Sequence, residues 1–97
     1  MSLIFHHLVQ SDLRVVLQYY EEEGGVALAD RFFAELEQLT CELEESPDKF
    51  HKISDDIRRA NMAHFPYHLL FRRHETQIRV LILRHDKRSP EFGLGRR

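Results

Sequence analysis

The eight-residue run QIRVLILR, residues 77–84, constrains the fold more than any other stretch of this 97-residue chain. Successive side chains of an extended strand point to opposite faces, so Ile78, Val80 and Ile82 would share one face and Leu81 and Leu83 the other. Apolar residues on both faces predict a central strand, covered on one face and at least partly covered on the other. A chain of this length builds one core, so we expect residues 1–97 to form a single domain.

Two helices are predicted in the N-terminal half of the chain. Ser11 and Asp12 are suited to cap the first, whose apolar residues recur every three or four positions. Gly24 or Gly25 would end it, because glycine readily takes the left-handed conformation that closes a helix. The second helix is predicted over residues 26–45. The residues of its apolar stripe are Ala29, Phe32, Phe33, Leu36, Leu39 and Leu43.

Predicted strands precede and follow the two helices. One covers residues 3–9, and two more, at residues 56–62 and 67–73, come before QIRVLILR. The polar segment 46–56 contains Pro47 and is predicted to be a loop. Strand, helical hairpin and three-stranded antiparallel meander in this order (βααβββ) predict an α+β fold, a sandwich of two layers.

The formal net charge of −2 conceals a division between the two halves. Residues 1–48 carry 2 basic and 11 acidic side chains, a net charge of −9, whereas residues 49–97 carry 12 basic and 5 acidic ones, a net charge of +7. The basic residues cluster at the ends of the predicted strands. We therefore expect one surface of the molecule to attract anions and another to repel them.

Several classes of protein are disfavoured by the composition. No apolar run approaches the length of a membrane span, and the N-terminus lacks the pattern of a secretory signal. The single cysteine, Cys41, permits no internal disulfide, which fits a cytoplasmic protein. A catalytic thiol needs basic neighbours that favour the thiolate, and the neighbours of Cys41 are glutamates, which argues against a catalytic role. We predict neither a metal site nor a cofactor.

Four segments together resemble the RelE/ParE superfamily of type II toxin–antitoxin toxins, and most closely its ParE-like, plasmid-stabilisation branch. They are DLRVVLQYY, FFAELEQL, IRRANMAHFPYHLLFR and VLILRHDKRSPEF. The resemblance implies a small cytoplasmic bacterial toxin with the predicted fold. It also implies a cognate antitoxin that holds the toxin inactive by wrapping it, usually as a helix plus an added strand. Either a dimer or a toxin–antitoxin hetero-oligomer is compatible with the sequence.

One activity of this superfamily is ribosome-dependent cleavage of mRNA, which needs cations for the phosphate and groups that move protons. By resemblance, Arg59 occupies a basic strand position of the RelE-like enzymes. His68 stands where they have an arginine, and Phe92, which has no hydroxyl, stands where they have a tyrosine. Other nuclease branches use histidines. His68, His85 and Arg88 are therefore the catalytic candidates for an endoribonuclease.

The other activity, in ParE-like members, is inhibition of DNA gyrase by binding, which requires no catalytic set. We favour gyrase inhibition because the chain has lost the arginine of the RelE-like enzymes at His68 and their tyrosine hydroxyl at Phe92. A third alternative is an inactive remnant that retains only antitoxin binding. The predicted target-binding surface comprises Arg58, Arg59, Arg84, Lys87, Arg88 and Phe92, extended by the terminal Arg96 and Arg97.

Overall fold

A five-stranded sheet forms one layer of the fold in the computed structural model, which describes residues 2–96. The strand order is β1-β5-β4-β3-β2; β1 runs parallel to β5, and the other neighbours are antiparallel. The strands are β1 (Ser2–Phe5), β2 (His51–Lys52), β3 (Ile57–Asn61), β4 (Tyr67–His74) and β5 (Gln77–His85). The predicted α+β fold and its antiparallel meander are confirmed.

The second layer is the helical segment α1 (Val9–Glu45), which is interrupted at Gly25. Gly25 has φ 80° and ψ 180°, a backbone conformation that only glycine adopts without strain. The rings of Tyr20 and Phe32 lie 5.4 Å apart between centroids. In one straight helix these residues would be about 18 Å apart along the axis. The chain therefore folds back at Gly25, and the predicted helical hairpin is confirmed; we call residues 9–24 the first arm and residues 26–45 the second arm.

The main core lies between the hairpin and the sheet. Residues of both arms, such as Val16 and Phe32, pack there against Leu69 and Phe71 of β4. A smaller apolar cluster lies on the opposite face of the sheet. Its members are Ile57, Leu70, Leu81 and Ile82, with Leu94 packed against them. Both faces of β5 are thus covered, as expected for a central strand.

The predicted division of the β5 side chains between the two faces holds through Leu81 and was wrong for Ile82 and Leu83. Leu70 of β4 faces Ile82 and Phe71 faces Val80, so Leu81 has no residue opposite it on β4. Such a β-bulge adds one residue to one strand and shifts the alternation of the side chains that follow. As a result Leu83 joins the main core, whereas Ile82 lies in the smaller cluster.

The N-terminal region also differs from the prediction. The first strand ends at Phe5 rather than residue 9, because the chain turns where the Nδ1 of His6 accepts the Leu8 amide at 3.1 Å. The helix then begins at Val9 with no side-chain cap, so the capping role predicted for residues 11 and 12 was wrong. Asp12 instead accepts the backbone N–H of Leu83 at 3.2 Å.

The segment predicted as a loop after the hairpin contains a short edge strand. A single 3₁₀ turn (Pro47–Lys49) leads into β2, which pairs with Arg58 and Arg59 of β3. A strand of two residues is too short to show an alternation of apolar and polar side chains, so it could not be predicted from the sequence. Among residues 2–96, no helix has the length and hydropathy that crossing a bilayer requires.

Candidate functional site

The C-terminal tail, residues 86–96, lies across the face of the sheet that the hairpin leaves uncovered. Its backbone is folded into successive turns, in which Phe92 N–H donates to Ser89 and Leu94 N–H to Glu91. Gly93 has φ 87°, and a Cβ at this position would collide with the side chain of Ile82. The tail backbone therefore approaches the sheet as closely as glycine allows.

His68 lies at the centre of a buried polar network beneath the tail. The residue is fully buried, and its Nδ1 is 2.8 Å from Oδ1 of Asp86. Arg84 Nε donates to its Nε2 at 3.0 Å. Because arginine only donates, Nε2 is the acceptor and the ring proton must be on Nδ1, where it is donated to Asp86. The network thus fixes a neutral imidazole in one tautomer.

The charge state of His68 follows from the same surroundings. Burial lowers the pKa of His68 below its ordinary value, and the positive charges of Arg59 and Arg84 lower it further. The hydrogen bond to Asp86 acts in the opposite direction without reversing the shift. His68 is therefore neutral at pH 7, in agreement with the tautomer that the hydrogen bonds require.

Arg84 connects this network to the tail. The residue is only 5% exposed. Its Nη1 lies 2.9 Å from the carbonyl oxygen of Pro90, 3.0 Å from that of Phe92 and 3.4 Å from that of Ser89. A buried guanidinium is stable only where its donors are satisfied, and here the tail carbonyls satisfy them. Arg84 is thus an internal anchor for the tail.

Arg58 and Arg59 lie on opposite faces of the sheet, since neighbouring strand residues alternate. Arg59 donates to Asn61 at 2.7 Å and pairs with Asp86 at 3.3 Å, so it belongs to the network around His68. Arg58 donates to the carbonyl of Phe50 at 2.8 Å, on the side of the main core. The two arginines therefore do not form one continuous surface.

The exposed part of the tail includes a cation stacked on an aromatic ring. The guanidinium carbon of Arg88 lies 4.0 Å from the ring centroid of Phe92, which is itself 38% exposed. Lys87 is exposed beside them. Such a combination of arginine and aromatic ring is typical of protein interfaces.

A pocket of about 280 Å³ opens between the tail and the first arm. It is lined in part by Tyr67, His85, Arg88 and Phe92. The Nδ1 of His85 accepts the Lys87 amide at 3.0 Å, and the ring meets Tyr67 edge-on. Two of the three catalytic candidates thus share this pocket, whereas His68 is not among the described residues that line it.

The remaining arginine of the predicted surface, Arg96, is held by an ion pair instead. Its guanidinium binds Asp12 through two nitrogens, at 2.7 and 3.1 Å, and both side chains are 13% exposed. Arg96 also donates to the carbonyl of Leu81 at 3.0 Å. Asp12 and Arg96 thus form hydrogen bonds with backbone groups of β5 beyond the end of β1, and their ion pair ties the tail to the first arm. Arg97 lies outside the described residues.

Asp86 and Asp12 are the two residues of this region that sequence reasoning missed. Asp86 had a signal, since it is an acidic residue in the otherwise cationic run RHDKR. It accepts from both His68 and Arg59. Asp12 had none, because its partners lie 71 and 84 positions away in the chain. Among residues 2–96, no three His, Cys, Asp or Glu side chains are grouped to hold a metal ion.

A second candidate site is an apolar groove between β1 and the hairpin, with a volume of about 550 Å³. Phe5 and Phe33 line it and are 48% and 40% exposed. Phe33 was predicted in the apolar stripe of the second arm, but it faces this groove rather than the buried core. β1 is an edge strand, so one side of its backbone is unpaired within the sheet.

These features define a class of small two-layer α+β domains, in which a hairpin packs on one face of a sheet and a tail on the other. The family model described as "ParE toxin of type II toxin-antitoxin system, parDE" matches residues 3–90. The chain belongs to the ParE toxin family of type II toxin–antitoxin systems. The resemblance inferred from the sequence is thus confirmed. The matched region ends at Pro90, so Phe92 and Arg96 lie beyond it.

A solved structure has the same fold. The chain is similar to one from the "Chromosomal ParDE TA system from P. aeruginosa", with a TM-score of 0.77 and 17% identity. The match covers 88% of this chain and 95% of the other. At this identity the similarity concerns the fold. No curated protein matches the chain.

Proposed function

We propose that this protein is the toxin of a bacterial toxin–antitoxin pair and that it acts in the cytoplasm by binding DNA gyrase. The observation that carries the proposal is the state of His68. Both ring nitrogens are engaged inside the protein, at 2.8 Å to Asp86 and 3.0 Å to Arg84. A general base must reach the proton that it abstracts. A buried imidazole whose two nitrogens are both hydrogen-bonded inside the protein does not reach a substrate proton, which supports docking over cleavage.

The docking surface that we propose is centred on Lys87, Arg88 and Phe92. The exposed Val15 of the first arm lies across the same pocket and adds apolar area to it. A cationic and aromatic surface fits a target that presents acidic side chains or DNA phosphates beside apolar groups. Arg84 and Arg59 would act beneath this surface, and Arg58 would lie outside it.

Expression without the antitoxin tests the proposal. We expect filamentous cells, and we expect the purified toxin to inhibit supercoiling by gyrase in vitro. The double variant Lys87→Ala/Arg88→Ala should lose most of this inhibition. Lys52→Ala is the matched control, because Lys52 is an exposed cation on the far edge strand β2. Rapid mRNA cleavage with intact gyrase activity would contradict the proposal, and unaffected growth would leave the remnant alternative.

The second candidate function is an endoribonuclease that uses His85 and Arg88. The observation that favours it is the shared pocket, where Tyr67 supplies a hydroxyl group that Phe92 lacks. Its test is His85→Ala, which would abolish mRNA cleavage if the imidazole transfers protons. Under the gyrase proposal the same variant should retain supercoiling inhibition to within a few-fold.

We propose that the antitoxin binds in the groove beside β1. An extended segment would pair with the unpaired edge of β1, and apolar side chains would fill the space next to Phe5 and Phe33. A basic residue would suit Glu37 at the groove, and an acidic stretch would cover the tail. Phe33→Glu should weaken antitoxin binding at least about tenfold. Val26→Glu, at an exposed apolar position near the hairpin bend, should not, and equal losses would place the antitoxin elsewhere.

A further inference from the structure

We infer that His68 and Arg84 are positioning residues, which hold the C-terminal tail on the sheet and so assemble the Arg88–Phe92 surface. The role of this surface in target binding rests on the proposed function. The anchoring of the tail by His68 and Arg84 is a property of the folded chain alone. It gives His68, one of the catalytic candidates from the sequence, a structural role.

The anchoring begins with the geometry of Arg84. Its Nη1 lies within 3.4 Å of three carbonyl oxygens, which belong to Ser89, Pro90 and Phe92. These residues span the turn of the tail, so one guanidinium holds both of its ends. Hydrogen bonds from a charged donor are stronger than neutral ones, particularly where water is excluded. Arg84 therefore fixes the path of the tail backbone.

The contribution of His68 is to orient that guanidinium. Its Nε2 accepts the Nε–H of Arg84, which sets the plane of the guanidinium and leaves Nη1 toward the tail carbonyls. Its Nδ1–H is donated to Asp86, which also pairs with Arg59 of β3. A neutral imidazole with the proton on Nδ1 performs both functions.

The anchored backbone carries the surface with it. The carbonyl of Phe92 is one of the three acceptors of Arg84, and the Phe92 ring lies under the guanidinium of Arg88. The next residue, Gly93, packs directly on Ile82. If Arg84 is lost or displaced, Phe92 is released from the sheet, and the stacked pair no longer has a fixed position.

Protonation of His68 would break this arrangement, because Nε2–H cannot accept from Arg84 and would place two cations together. The charged groups facing His68 are Arg84 of β5, Arg59 of β3 and Asp86 of the tail. Burial lowers the pKa of His68 in the anchored state. The anchoring is therefore complete above the ordinary histidine pKa of about 6.5. It weakens as the pH falls from there through the lower value of the anchored state.

Amide hydrogen exchange on the full-length chain tests the inference. The reporters are the tail amides of Phe92, Leu94 and Arg96, each of which donates to a carbonyl within the tail. Arg84→Lys keeps the charge but cannot reach His68 and the tail carbonyls together, and His68→Phe removes both ring nitrogens. We expect each to lower tail protection about tenfold or more, while the core amides keep theirs. Unchanged tail protection in both variants would overturn the inference.

Arg88→Ala is the matched control, because it removes the stacked cation and leaves the anchor. It should keep the protection of the Leu94 and Arg96 amides within about twofold. If the His68 or Arg84 variant fails to fold, measurements on the wild-type chain still test the inference. Its ¹⁵N spectrum should show the neutral Nδ1–H tautomer of His68 at pH 7, and tail protection should fall selectively as the pH is lowered below about 6.5. A ring proton on Nε2, or protection independent of pH, would refute the inference.

Supercoiling assays on the same variants separate the two proposals. Loss of both tail protection and gyrase inhibition in Arg84→Lys supports the inference in full. If the wild-type protein does not inhibit gyrase, yet the tail is released in the variants, the gyrase proposal fails and the positioning role stands. If gyrase inhibition is present and the tail stays protected in the variants, the positioning role fails alone.

Discussion

The two faces of the sheet are covered in different ways. On one face the hairpin buries large apolar side chains, among them Phe32 and Leu43, against β4 and β5. On the other face the tail covers a small apolar cluster beside the buried pair of His68 and Arg84. Apolar burial is strong but not directional, whereas hydrogen bonds fix distance and angle. The hairpin face therefore supplies most of the stability, and the tail face supplies a defined position for the exposed residues.

Phe32→Ala should produce the largest loss of stability and would break the hairpin face. Phe32 is fully buried and meets the rings of Tyr20, Phe65 and Tyr67. Removing such a side chain leaves a cavity, and the free energy of unfolding should fall by about 3–5 kcal/mol. Urea denaturation measures it. Phe33→Ala, next to it but exposed, should cost less than about 1 kcal/mol, and equal losses would contradict this account of the core.

Arg84→Met should have a smaller effect and tests the tail face. It leaves His68 Nε2 and the tail carbonyls without their charged donor. We expect the free energy of unfolding to fall by about 1.5–3 kcal/mol, since hydrogen bonds to charged groups contribute on this scale. Because the tail can separate from the sheet without loss of the main core, the denaturation midpoint should shift less than in Phe32→Ala. A larger shift than that of Phe32→Ala would reverse the comparison.

Glu35→Gln addresses a polar anchor on the hairpin face. The Glu35 carboxylate accepts the backbone N–H groups of Ala63 and His64, at 2.9 and 3.1 Å, and meets the His64 ring at 2.7 Å. Although burial by itself would raise the pKa of Glu35, the hydrogen bonds from His64 and Ala63 lower it overall. We expect a loss of about 1 kcal/mol at pH 7, measured by thermal denaturation.

The loss of stability in Glu35→Gln should depend on pH, and the lowered pKa of Glu35 sets the direction. Because the folded state depresses the pKa of Glu35, its contribution is present above the ordinary glutamate pKa and is lost as the pH falls through the depressed value. The difference between wild type and Glu35→Gln should therefore shrink in acid. Glu37→Gln, at an exposed position on the same arm, is the matched control. A difference that persists unchanged at low pH would show that the charge is not responsible.

Arg88→Ala should have the smallest effect on stability. Its stack on Phe92 is at the surface, where a cation–π contact contributes about 0.5–1 kcal/mol. Gyrase inhibition should nevertheless fall about tenfold or more, since exposed arginines at interfaces are frequent contributors to binding. Unchanged inhibition would move the docking surface away from the tail.

The sequence was sufficient for the fold because the relevant signals are local and repeated. The alternation in QIRVLILR predicted a central strand, and the glycines after residue 23 predicted the hairpin bend found at Gly25. The apolar spacing of the second arm predicted a stripe of six residues, of which all but the exposed Phe33 are buried. The bulge at Leu81 was not predictable, because it arises from the pairing of β5 with β4 rather than from either strand alone.

The candidate site was less accessible to sequence reasoning. The cationic run around Arg84 to Arg88 was found, but its members are divided between an interior anchor and an exposed surface. Whether a strand residue faces the interior depends on what covers it, and here the cover is a tail with no periodic pattern. The roles of Asp86 and Asp12 depend on partners brought together only by folding.

The sequence by itself therefore determined the helical hairpin, the longer strands, their order and the family, since periodicity, glycine placement and family motifs are properties of the chain. Only the tertiary structure decided which charges are paired, which face each β5 side chain occupies and which protonation state His68 holds. These properties depend on burial and on hydrogen-bond partners distant in sequence. The cations after β5 are accordingly two sets, with Arg84 holding the tail from within and Arg88 exposed upon it.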